Sequence, residues 1–332
     1  ARQQNGMAGS NSHRGRTMGS EVEPEEVDPL VAGLIGGIDV GGGPTNEQLA
    51  VLRSLVSDLW KRSDVEITNV TPLGPRDAAA ALLHTDTRLR FCEILMTLEL
   101  CRHPQSERQV DSVERYVSAM EVSDIELETT RETLEQGADR VSKDLERFYD
   151  GVLPEISEIS LREEYLRLNE PDHELAKRLR SLHNLPTGTL GHAYVEFYRR
   201  NNFTLPGDDV HLPAHYVNHD MNHVITGYEP TAPEEIARSG FLWAANDSRH
   251  NWLELLLTLS IHETGVLNHG AIRAKVSTLN REGAPELFGE GLERGSKCTV
   301  DLSQVDHLAL VERPLEELRE EFNVVPFEPR IL

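Results

Sequence analysis

Apolar residues in the first half of the chain recur three and four positions apart. In "NEQLAVLRSLVSDLW", Leu49, Leu52, Leu55, Val56 and Leu59 fall on one face, which predicts an amphipathic helix. "RLRFCEILMTLELC" (88–101) is apolar on most sides and predicts a buried central helix. "SERQVDSVERYVSAMEV" and "SDIELETTRETLEQGADRVSKDLERFY" each open with a serine and an early acidic residue, as helix starts do. The alternating charges on their polar faces read as solvated surface. Beyond "DGVLPEISEIS" (150–160) the pattern is again helical, with Pro and Gly at the joints, as in "LPTGTLG" and "LPGDD". No stretch alternates strongly enough to support a sheet. The expectation is an all-α protein of two helical domains, 45–150 and 160–332. Residues 1–44 read as a disordered leader ending in the Gly-rich linker "AGLIGGIDVGGGP".

Length agrees: 332 residues suit two domains, or one large one with an extension. The 38% hydrophobic and 27% charged shares describe a chain able to bury a core. A net charge of -23 excludes non-specific binding to nucleic acid or anionic lipid. Three cysteines without CxxC spacing exclude a disulfide framework or thiolate metal site, so they read as core residues in a cytoplasmic protein. The longest apolar run, "WLELLLTLSI", is half the roughly 20 residues a membrane span needs, and it carries Glu254. The first twenty residues lack the apolar region of a secretory signal. Neither a phosphate-loop motif nor GxSxG is present.

The chemistry concentrates in "HYVNHDMNHVITGYEPTAPEE" (215–235). Residues four apart on a helix lie within roughly 40° of one another, so His219 and His223 share a face, as two ligands of one metal ion must. Asp220, about 100° round the arc, is placed to bind at the site's edge, orient a histidine, or act as a base on bound water. After the break at Gly227 and Pro230, Thr231 and Glu234 form a capping-box pattern, which leaves Glu235 free to project back as a ligand. Two imidazoles and two carboxylates suit one divalent ion, and Zn²⁺, Fe²⁺, Mn²⁺ and Co²⁺ are not separated by ligand type. His215 continues the stripe one turn back in a supporting place. His262, Glu263 and His269 read as pocket lining or a helix end, with a second metal site as the alternative, and Asn246, Asp247 and His250 are further candidates on a helix expected to pass near the site. "FLWAANDSRHNWLELLLTLSI" (241–261) reads equally as core or as the wall of an apolar pocket beside the metal.

The same stretch carries a family resemblance. "HDMNHVITGYEPTAPEE" matches HDxxHx₁₁E, the signature of the coenzyme Q biosynthesis protein 4 family. "LPTGTLGHAYVEFYRRNNF" and "PLEELREEFNV" resemble that family's flanks, so the likeness spans about 160–332. It implies an all-helical fold, an apolar lipid tunnel, and membrane-peripheral homodimers. The implied metal residues are His219, Asp220, His223 and Glu235. The implied activity is C1 decarboxylation coupled to hydroxylation of a prenylated aromatic ring in ubiquinone biosynthesis, with a non-catalytic isoprenoid-binding scaffold as the alternative. The segment "LELCRHPQSERQVDSVERYV" resembles the tellurite-resistance TerB-like bundle, with "HP" where that family has an acidic "DG" turn. That unit reads as an interaction or regulatory module, with other quinone-biosynthesis proteins as its expected partners.

Overall fold

The computed structural model describes residues 22–104, 106–122, 154–162, 172–208, 215–246, 248–265, 275–325 and 327. Among them every regular element is a helix, and the β-type pairing is confined to an isolated bridge between Thr189 and Pro314. The all-α expectation holds there. The helix read over 123–149, and Asp247 and His269, lie outside the described residues.

Helix α1 (Val27–Ile38) corrects the reading of residues 32–38 as linker. Leu30, Leu34 and Ile38, with Val31 and Ile35 between them, form a helical stripe that is buried along its length. The glycines in this stretch serve close packing. A Cβ on Gly33 meets the Phe91 ring at 2.8 Å, and one on Gly37 meets Leu95 at 2.6 Å. The turn comes later, at Gly41, Gly42 and Gly43, whose φ values of 56°, 114° and 102° are positive.

Helix α2 (Asn46–Ser54) starts at a capping box in which Thr45 and Gln48 exchange backbone and side-chain bonds. It continues through a π-helical turn that keeps Leu55, Val56 and Leu59 buried. Helices α3 (Pro75–Ala81), α4 (Thr85–Leu100) and α5 (Glu107–Met120) complete the first group. As predicted, α4 is the central buried helix and Ser106 caps α5 through Gln109. Cys92, Cys101 and Cys298 are buried thiols, as core residues are.

The second group comprises α6 (His173–Ser181), α7 (Leu190–Asn201), α8 (His215–Thr226), α9 (Ala232–Ala245), α10 (Arg249–His262), α11 (Ala284–Gly295) and α12 (Leu315–Glu321). Helix α9 sits between two apolar cores. Ile236, Trp243 and Ala244 join α1, α2, α4 and α5, together with Trp252, Leu253, Leu255, Leu256 and Leu259 of α10. Ala237, Phe241, Leu242 and Ala245 join α6, α7, α8 and the C-terminal segment. Trp252 also donates its indole N–H to Thr97 of α4 at 3.1 Å. The first five helices therefore do not close their core alone; they cover the outer faces of α9 and α10. Of the candidate pocket wall, Phe241, Leu242, Trp243, Trp252, Leu253, Leu256 and Leu259 are packed into these cores, and Leu257 is buried.

No described helix is long and apolar enough to cross a membrane.

Candidate metal centre

Helix α8 ends at Gly227, whose φ of 86° turns the chain back toward α9. The expected capping box at Thr231 takes a different form. The Thr231 side chain does not cap the helix; Glu234 instead accepts from the Glu229 backbone N–H at 2.6 Å and from the Thr231 hydroxyl at 3.2 Å. Glu234 is thus occupied in the turn, and Glu235, one residue on, faces α8.

The turn brings three ligand atoms together. His219 Nε2 lies 3.2 Å from His223 Nε2 and 3.4 Å from Glu235 Oε2, and His223 Nε2 lies 3.1 Å from the same oxygen. Ligands at about 2.0–2.1 Å from a tetrahedral ion are separated by about 3.3–3.4 Å, so the three atoms already span one face of such a polyhedron. The ring of His223 is set for this role. Its Nδ1 is 2.9 Å from the Tyr228 carbonyl, which only accepts, so Nδ1 carries a proton and Nε2 is the nitrogen turned toward the trio. Phe197 stacks on the other side of that ring, with centroids 5.6 Å apart. His223 and Glu235 are buried, while the His219 side chain retains 27% of its exposure, so solvent reaches the trio from that side.

Asp220 is placed beside the trio. One carboxylate oxygen is 3.9 Å from His219 Nε2, and the other accepts from the hydroxyl of Tyr198 on α7. Burial pushes the Asp220 carboxyl up from its ordinary value, and burial followed by the charge of Asp220 pushes the Tyr198 phenol well up. Of the four predicted residues, the structure gathers His219, His223 and Glu235 and leaves Asp220 at the edge, engaged with Tyr198.

Two further residues complete the electrostatics. Arg238 of α9 is fully buried and donates to Glu254 Oε1 of α10 at 2.7 Å; its Nε is 3.7 Å from Glu235 Oε2. Its Nη2 also lies 3.0 Å from His219 Nδ1, which in turn is 3.8 Å from Glu254 Oε1. Burial opposes charge on Glu254, but Arg238 and His219 prevail and push its carboxyl down to about 2. Burial and Arg238 oppose charge on His219; Glu235 and Glu254 outweigh them and push it up to about 9. Burial likewise opposes charge on Glu235, and the two histidines hold it well below the carboxylate range. Tyr198, Arg238 and Glu254 were not among the predicted site residues. Glu254 carried the signal: a carboxylate inside an otherwise apolar helix requires a buried partner.

The remaining candidates have other roles. His262 is buried, with its Nδ1 unpartnered, and Glu263 bonds to His103 Nε2 at 3.1 Å and to the Leu279 backbone N–H at 2.7 Å. These bonds tie the α4–α5 turn to α10. His250 meets both Ser248 and Asp301 through the same nitrogen, at 2.8 and 2.9 Å, so it cannot relay a proton between them through its two ring nitrogens. A second group, His183, His192 and Glu196, gathers at the surface between α6 and α7. Glu196 is there shared with Arg199 at 3.5 Å.

No family model matches the chain, and no curated protein matches it. Among solved structures it is similar to a protein of Nostoc punctiforme PCC 73102 provisionally named for ubiquinone biosynthesis. The two are 19% identical, with a TM-score of 0.35 over 60% of this chain and 96% of that one.

Proposed function

We propose that the chain holds one divalent metal ion at His219, His223 and Glu235 and acts on a prenylated aromatic ring of the quinone-precursor class. The observation that carries the metal reading is the trio's geometry: three ligand atoms 3.1–3.4 Å apart, with the His223 proton turned away onto Tyr228. The donor set fits zinc, iron, manganese or cobalt. The substrate class rests on the HDxxHx₁₁E pattern and its flanks over about 160–332.

The reaction proposed replaces the C1 carboxylate by a hydroxyl: the carboxylate leaves as CO₂, water supplies the hydroxyl oxygen, and dioxygen takes up the two electrons and two protons and leaves as hydrogen peroxide. An ion held by His219, His223 and Glu235 would supply Lewis-acid or redox chemistry there. The chain's own residues divide the rest. His219, the most exposed of the three, faces the side from which a ring enters. Asp220 and Tyr198 form an oxygen-to-oxygen proton pair at the edge, placed to hold or pass a proton to a group bound there. Arg238 and Glu254 fix the charge behind His219.

The alternative reading is an isoprenoid-binding scaffold with a structural ion, which calls for a closed four-ligand site. Asp220 gives one oxygen to Tyr198 and keeps the other 3.9 Å from His219 Nε2, outside the trio, which supports the catalytic reading.

The test is metal content followed by turnover. Wild type should carry about one ion per chain and His223→Ala much less; equal content overturns the metal assignment. The loaded protein should then release CO₂ from a prenylated hydroxybenzoate under air. Binding without turnover selects the scaffold.

A further inference from the structure

We propose that Glu254 is the positioning residue of His219: when His219 presents Nε2 to an ion, its Nδ1 proton is held by Glu254, and Arg238 sets how readily this happens. The inference rests on the metal reading above.

The two histidines of the trio are supported unequally. His223 has a permanent acceptor for its Nδ1 proton in the Tyr228 carbonyl, 2.9 Å away. His219 has none at that distance. What lies against its Nδ1, at 3.0 Å, is Nη2 of Arg238. A guanidinium has five N–H donors, no acceptor, and does not deprotonate in proteins. It therefore cannot receive the Nδ1 proton that a ring bound through Nε2 must carry. The acceptor in reach is Glu254 Oε1, at 3.8 Å.

That oxygen already accepts from the same Arg238 nitrogen at 2.7 Å. Arg238 and His219 thus compete for one carboxylate oxygen in a buried setting. For a charge-assisted hydrogen bond of about 2.8 Å, Nδ1 and Glu254 must close by about 1 Å. The proton needs no redox partner: Nε2 gives up its proton to solvent through the exposed side of His219, and Nδ1 keeps or gains one facing Glu254. The carboxylate raises the basicity of the ring and fixes its orientation, the two things an outer carboxylate does for a histidine ligand.

The experiment uses the full chain with Zn²⁺ as probe, first stripped with chelator and then titrated. Affinity is read by chelator competition, and the His219 ring by ¹⁵N-histidine NMR. Wild type should show, on loading, a His219 Nδ1 proton protected from exchange. Glu254→Gln should bind Zn²⁺ about 10–100-fold more weakly and shift or lose that proton signal. Arg238→Met should move affinity the other way, since the competing donor is gone; a purely structural role would weaken binding in both variants. If wild type takes up one ion but the Nδ1 proton is unprotected, or is unchanged in Glu254→Gln, the role of Glu254 is overturned and the metal centre stands. If wild type takes up no ion at the trio, the metal reading itself fails. The wild-type spectrum decides the matter even if a variant does not fold.

Discussion

Arg238→Met in the ion-free protein isolates the buried charges behind the trio. Arg238 is fully buried, and its carboxylate partner Glu254 has a side chain only 7% exposed. Neither charge has bulk water to fall back on. Removing the guanidinium leaves Glu254 without its 2.7 Å partner and removes the cation 3.7 Å from Glu235. Breaking a buried pair from one side costs about 3–5 kcal/mol, because the surviving charge stays desolvated. With a urea slope of about 3 kcal/mol per molar, the midpoint should fall by about 1–2 M. Methionine occupies much of the arginine stem's volume, so little of that loss is packing. Glu254→Leu added to Arg238→Met removes the stranded charge and should bring stability back to within about 1–2 kcal/mol of wild type. Urea unfolding followed by tryptophan fluorescence reads both, since Trp243 and Trp252 sit on the same two helices. A single variant costing under about 1 kcal/mol, or a double variant no better than the single, refutes the account of these groups as a buried pair.

Three other outcomes follow from the same geometry. Because His219 is pushed up to about 9, it carries a proton at neutral pH that an ion must displace; Zn²⁺ affinity should rise up to tenfold per pH unit until about pH 9 and flatten above, read by calorimetry in buffers of different ionisation enthalpy. In the ion-free protein the same raised value stabilises the fold fully below pH 6.5, and that contribution is lost as pH rises through about 9; a melting temperature independent of pH across that window contradicts it. Gly291→Ala places a Cβ against the Ala237 carbonyl of α9, which cannot retreat without parting α9 from α11; a loss of about 1–3 kcal/mol in thermal unfolding is expected, and a neutral effect shows that the helices are not held at this separation.

The local periodicity of the sequence determined the helices and the pairing of His219 with His223, because both are set within one or two turns of backbone. Glu235 was legible for the same reason: the Gly227 turn and the occupied Glu234 leave few ways for a residue twelve positions from His223 to point. Residues 32–38 were misread because glycine has two uses, freedom and close approach, and only the Phe91 and Leu95 side chains pressed against α1 show which applies. Tertiary structure alone decided the rest of the site. Tyr198, Arg238 and Glu254 come from three different helices, and Asp220 turns to Tyr198 because burial makes an unpaired carboxylate costly once α7 packs against α8. The apolar run of α10 likewise became core rather than pocket wall when α1–α5 covered it. Sequence fixes what a residue does within its own helix; which groups meet across α7, α8, α9 and α10, at separations of 16 to 22 residues, depends on how those helices pack.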